Sequence, residues 1–151
     1  MRKYKREIQD PAEIVAVLKT ATVMRLALSV ADQPYVVPVN FGFEPGRLYF
    51  HCALEGRKLD MIRANPRVAF EVETDVEVEL QPAACGCTTY FRSVIGFGAA
   101  RVVTDEAEKR HGLGILMAHH GVPAAEFDPK VLAITCVVAV EIESLTGKRK
   151  V

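Results

Sequence analysis

The sequence predicts a mainly β domain, an antiparallel β-barrel of about six strands flanked by two or three helices. Three observations predict it. Short apolar runs of period two recur along the chain, turn residues separate them in hairpin order, and only a few stretches carry a helical period. The 151 residues suit a single domain spanning 1–151 with its own core, and no repeat or low-complexity tract divides them.

Asp10-Pro11-Ala12-Glu13 opens the first helix: Asp10 can cap, Pro11 suits the first helical position and Glu13 completes a capping box. Ile14, Val17, Leu18 and Ala21 follow at helical spacing, so residues 10–20 are expected to be helical. From Thr22 the period changes. Met24, Leu26, Leu28 and Val30 share one face of a strand that turns at Ala31 to Pro34. Tyr35 to Phe43 forms a second strand, and Arg47 to Ala53 returns beside it after the turn at Glu44-Pro45-Gly46. A short helix over 56–65 stops at Asn65-Pro66, because a residue before proline is pushed out of the helical region. Val68 to Val72 and Glu77 to Leu80 are expected as strands, with a loop over Gln81 to Gly86. Thr88 to Val103 is a long β segment in which Gly96 and Gly98 mark a bulge or a close backbone approach. Thr104 to Glu108 starts another helix, with Leu113, Leu116 and Met117 as its buried stripe and Gly121 as its cap. Ile134 to Ile142 closes the sheet.

Charge and cysteine usage narrow the function classes. The 19 basic and 19 acidic residues give a net charge of +0, so no global basic field recruits nucleic acid or an anionic membrane. No apolar run is long enough to span a bilayer, and the charged start, Met1 to Glu7, lacks the apolar stretch of a secretory signal. The expected compartment is cytoplasmic. Cys52, Cys85, Cys87 and Cys136 are then expected as free thiols. Cys85-Gly86-Cys87 is a C-x-C pair without two further ligands at recognisable spacing, and no metal site is expected.

Glu55-Gly56-Arg57-Lys58-Leu59-Asp60 is the most informative segment. Two cations sit in the first turn of a helix, where the macrodipole is already positive, at a cost of a few tenths to about 1 kcal/mol each. An anion reverses that sign: free backbone N–H groups, an Arg fork and a Lys point charge together make a phosphate cradle. The bland alternative is a solvated turn neutralised by Glu55 and Asp60. His51, Cys52 and Ala53 end the strand that feeds this helix, and Pro38-Val39-Asn40 is expected across the hairpin from them. Pro38 cannot donate to a ladder and marks an edge. Taken alone, His51 reads as a hydrogen-bonded strand histidine and Cys52 as a small packing residue. Arg92-Ser93-Val94 offers a polar contact, and His119-His120 lacks metal partners and reads as solvated or capping. No nucleophile elbow, Walker loop or dinucleotide fingerprint is present.

Leu48 to Lys58, followed by Asn65-Pro66-Arg67-Val68, resembles the flavin-binding core of the pyridoxamine 5′-phosphate oxidase-like superfamily. With Val37-Pro38-Val39-Asn40, His51 and Tyr90 to Gly98, it is most similar to the nitroimidazole-resistance (Nim) branch, over roughly residues 10–143. The resemblance implies an antiparallel split β-barrel and a homodimer with FMN in the clefts between subunits. By position it implies Arg57 and Lys58 as the phosphate pair, and His51, Cys52 and Ala53 as strand-end residues bordering the cofactor. It further implies Ser93 as a polar contact and Pro38, Val39 and Asn40 as the strand lining the flavin ring. Gly56 stands where many of these oxidases have serine, and the sequence stops at Val151 without the segment that holds pyridoxamine phosphate, so vitamin B6 oxidation is not expected. The implied activity is an FMN-dependent oxidoreductase passing electrons from a small-molecule donor to a small acceptor such as a nitroaromatic, with His51 as its catalytic candidate. The rival is a non-catalytic flavin- or haem-binding carrier or sensor, for which His51, His119 or His120 would supply an axial ligand.

Overall fold

In the computed structural model, which describes residues 4–122 and 126–151, the chain begins with a 3-10 turn (Tyr4–Arg6) and the two-residue strand β1 (Glu7–Ile8). Of the charged start discussed above, Met1 to Lys3 lie outside the described residues. Asp10 caps α1 (Pro11–Thr20) by accepting the Ala12 N–H at 2.9 Å. Glu13 does not complete a capping box. Its carboxylate turns to Arg92 and Arg149, two guanidiniums that attract it more strongly than one backbone N–H.

β2 (Val23–Val30) buries Met24, Leu26 and Leu28 as their alternation demands and forms a hairpin with β3 (Gln33–Asn40). The Tyr35–Phe43 run is therefore not one strand. It breaks at fully buried Phe41, after which β4 (Gly42–Glu44) pairs with β5 (Arg47–Cys52). Pro38 lies opposite Arg25 in the first hairpin, not opposite β5. Pro34 and Pro38 leave β3 with two missing donors, which suits an edge strand. α2 (Arg57–Ala64) ends at Asn65, whose side chain donates to the Ser29 carbonyl at 2.8 Å and accepts the Arg67 N–H at 3.1 Å.

The two strands expected over 68–72 and 77–80 are one, β6 (Arg67–Glu79), kinked between Thr74 and Glu77 where Asp75 takes a φ of 54°. β7 (Thr88–Val102) pairs along it, and α3 (Glu106–His119) follows, capped by Asp105. Leu113 and Leu116 are buried as expected, whereas Met117 is half-buried; Gly121 ends the helix at a φ of 85°. A short helix absent from the sequence reading, α4 (Pro129–Ala133), is capped by Asp128. β8 (Cys136–Lys150) begins two residues later than expected and runs eight further, its polar end held by pairing with β7 on one side and β1 on the other.

The sheet is thus eight-stranded rather than six, in the order β3-β2-β6-β7-β8-β5-β4, with β1 added to the end of β8. It is antiparallel throughout and does not close: it is a split barrel with flanking helices. The main core lies inside, where α1 and α2 pack on Leu26, Phe50, Phe70 and Val138. A second cluster lies on the other face, where α3 and α4 cover Tyr49, Val137 and Ala139. No helix among the described residues is long and apolar enough to cross a membrane.

Two glycines of β7 set the curl. A Cβ on Gly96 would sit 2.1 Å from the Phe70 ring, and one on Gly98 would sit 2.0 Å from the Glu141 carbonyl oxygen, where the β7–β8 register slips. A phenyl ring can turn aside; a ladder carbonyl cannot. Gly98→Ala is expected to destabilise the fold by about 1–3 kcal/mol in chemical denaturation, and an unchanged midpoint would contradict this packing.

Candidate functional site

Gly56 fixes the approach to α2. Its φ of 139° lies where side chains are rarely tolerated, while a Cβ there would meet nothing within 4 Å. Backbone conformation, rather than space, requires glycine here. Gly56 also offers no side chain to cap α2, so the first N–H groups of the helix remain available beside Arg57 and Lys58.

A cavity of about 260 Å³ opens at this point, in the split between β3 and the end of β5. Tyr35 and Val37 form one wall, Cys52 and Ala53 another, and Glu55 to Leu59 the rim. The Arg57 guanidinium lies 4.7 Å from the centre of the Tyr35 ring, and the Lys58 ammonium 5.3 Å from that of Phe50. Both cations are thus steadied by aromatic faces. Neither makes an ion pair among the described residues: of the two expected neutralisers, Asp60 turns to Arg63 at 3.5 Å, and Glu55, at the rim of the cavity, pairs with neither cation. A cavity with two uncompensated cations at a helix N-terminus suits a phosphate-bearing ligand.

Of the residues singled out from sequence, Cys52, Ala53, Arg57 and Lys58 line this cavity together. Pro38, Val39, Asn40, His51 and Ser93 do not. Val39 is buried in the main core, and Asn40 donates to the Thr22 carbonyl at 3.3 Å. His51 is exposed, on the same face of β5 as Tyr49, and its register partner on β8 is Val137. Pro38 and Ser93 lie on the outer face of the sheet. Tyr35 and Val37 were missed. The inward parity of β3, set by Val39, carries the signal that could have found them.

Cys52 and Cys136 stand directly opposite each other on β5 and β8, and all four cysteines are free thiols. Burial, and then the neighbouring Cys136, push the Cys52 thiol up to about 11, so it is protonated at neutral pH. His119 and His120 each spend Nε2 on a backbone carbonyl, of Ala21 at 2.7 Å and Phe41 at 3.2 Å. That is a structural use of both rings, and it leaves His51 as the histidine without a recorded partner among the described residues. No cluster of three or more His, Cys, Asp or Glu forms among those residues.

Much of the outer face is bare. Val36, Ile95 and Phe97 are 60%, 45% and 51% exposed, on a surface that α3 and α4 leave uncovered.

Comparison with known proteins agrees with this fold. The family described as pyridoxamine 5′-phosphate oxidase matches residues 10–149. A Bacteroides thetaiotaomicron protein, provisionally described as a 5-nitroimidazole antibiotic resistance protein, superposes with a TM-score of 0.84 at 28% identity, covering 95% of this chain and 86% of its own. An FAD binding protein from Mycobacterium smegmatis superposes at 0.65 with 25% identity, covering 95% and 97%. The flavocytochrome Anf3 from Azotobacter vinelandii shares the fold, with a TM-score of 0.85 at 21% identity over 100% of this chain and 72% of its own. A curated relative from Rhizobium meliloti (strain 1021), described as uncharacterized protein RA0666, is 35% identical over 65 residues, 43% of this chain and 42% of that one.

Proposed function

The chain belongs to the pyridoxamine 5′-phosphate oxidase family, and on that footing we propose that it is an oxidoreductase holding riboflavin 5′-phosphate (FMN). Arg57, Lys58 and the first turn of α2 would receive the phosphate. The observation that carries this reading is the pair of cations left without carboxylate partners at the rim of the cavity. When bound, the flavin supplies the relay of electrons from a small-molecule donor, such as a nicotinamide, to a small acceptor, such as a nitroaromatic. The FAD-binding description of the Mycobacterium protein supports a flavin as the cofactor class, and the description of the Bacteroides protein supports the acceptor class. The cation pair favours a phosphate-bearing ligand over haem, as does the engagement of His119 and His120 by backbone carbonyls.

A second copy of the chain completes the site in this reading. Its support is the bare outer face around Val36, Ile95 and Phe97. Pro38 and Ser93 share that face and, remote from their own cavity, would serve the partner's cofactor. Cys52 and Ala53 border the cofactor from within, and Val39 and Asn40 support the strand that lines it. His51 handles a proton at the exposed end of β5. The protein acts in the cytoplasm, without nucleic-acid or membrane partners.

Arg57→Ala combined with Lys58→Ala should weaken FMN binding at least tenfold, since each charge-assisted contact is worth about 1.5–3 kcal/mol. Riboflavin binding, measured in the same titration, should barely change; equal losses would refute the cradle. His51→Ala should retain flavin and keep its melting temperature within a few degrees, while flavin reoxidation by a nitroaromatic slows about tenfold or more. An unchanged reoxidation rate would remove His51 from the mechanism. Light scattering should find a dimer at micromolar concentration, and Phe97→Asp should yield a folded monomer; a wild-type monomer with flavin bound would rule the dimer out.

A further inference from the structure

Cys52 lines the cation-rimmed cavity, and Cys136 lies directly across the β5–β8 ladder from it, buried at 6% exposure. Directly opposed residues of antiparallel strands have Cα atoms about 4.5–5.5 Å apart, inside the roughly 4.4–6.8 Å range that a disulfide spans. Both side chains lie on the core side of the sheet, where Cys52 packs against the cluster that contains Cys136. A bond between them asks for rotation of two side chains and a small drawing together of the strands, since opposed Cβ atoms lie about 4.5–5.5 Å apart and a disulfide holds them at about 3.5–4.5 Å.

We infer that Cys52 and Cys136 form a reversible dithiol–disulfide pair, oxidised by a small hydroperoxide that enters through the cavity. The Cys52 thiolate attacks one oxygen of hydrogen peroxide, the O–O bond breaks, and the departing hydroxide takes up the released proton as water. The resulting sulfenic acid at Cys52 is attacked by the Cys136 sulfur, the S–S bond forms, and a second water leaves with the Cys136 proton. Two thiols lose two electrons in all, and one peroxide becomes two waters. Its raised pKa leaves Cys52 a small thiolate fraction at neutral pH, which slows the first step and lets alkaline conditions speed it. Once formed, the bridge ties the end of β5, from which the Ala53–Gly56 turn departs, to the start of β8. It would lock one wall of the cavity in response to oxidant. This pairing rests on strand register and stands whether or not the cavity holds a flavin.

The exposed Cys85 and Cys87 are competing thiols, so the test uses protein carrying Cys85→Ser and Cys87→Ser, isolated with whatever it binds. Hydrogen peroxide is added at mildly alkaline pH, the remaining thiols are alkylated in denaturant, and intact mass and peptide maps are recorded. The expected result is a loss of two hydrogen atoms per chain, a linked pair of peptides containing Cys52 and Cys136, and full reversal by dithiothreitol. The same linked pair should appear in wild-type protein, where peptide mapping separates it from any Cys85–Cys87 product. Recovery of both thiols in alkylated form would overturn the inference. So would accumulation of sulfinic acid at Cys52 beside a free Cys136.

Discussion

An edge strand exposes unpaired backbone N–H and C=O groups that invite another strand, and this sheet has edges at β3 and β4. Pro34 and Pro38 remove two of the donors that β3 could offer, so β3 pairs with β2 and leaves the other edge unmet. The chain then crosses at buried Phe41 to begin β4, on the far side of the opening. The candidate site follows from that gap. It admits the N-terminus of α2 beside β3 and the end of β5, and it leaves Tyr35 and Val37 facing Cys52 and Ala53 across open space instead of across a ladder.

The gap is held open from both faces. Inside, α1 and α2 cover a continuous apolar core; outside, α3 and α4 cover only the β4, β5 and β8 side, around Gly42, Tyr49 and Val137. Beneath α3, Arg47 bridges Glu44, Glu108 and Glu141, and its ion pair with Glu141 and its hydrogen bond to the Tyr49 hydroxyl raise its pKa further, so the guanidinium stays charged throughout the ordinary pH range. That network secures β4 and β5 without touching the cavity. The cavity's own charges are handled in the opposite way. Arg57 and Lys58 lie against aromatic faces, where attraction is modest, and Asp60 is drawn off by Arg63. A local electrostatic rule is broken at one place in the molecule where a ligand would mend it.

Much of this was legible in the sequence because it is written in local periods and caps. The burial of Met24, Leu26 and Leu28, the Asp10 and Asp105 caps, the Asn65 stop and the tight glycines of β7 all follow from neighbouring residues. What failed was decided by distant partners. Residues 143–150 are polar and contain Gly147, so the expected strand stopped at Ile142; pairing with β7 and β1 carries it on to Lys150. The Tyr35–Phe43 run reads as one β-rich stretch, yet it divides at Phe41, between Asn40 and Gly42, because its two halves belong to opposite edges. Within the candidate site, the cation pair was legible as a violation of the helix-dipole preference. Tyr35 and Val37 were not, because the opposite wall of the cavity comes from a strand that does not pair with the one bearing Cys52.

The central claim is that this opening holds a flavin by its phosphate. The most direct measurement is to denature the purified protein, release its chromophore and weigh it. The account predicts riboflavin 5′-phosphate at about one per chain, taken up again on refolding or on addition to colourless protein. Release of haem or FAD instead, or a colourless chain that fails to take up added FMN, would contradict it.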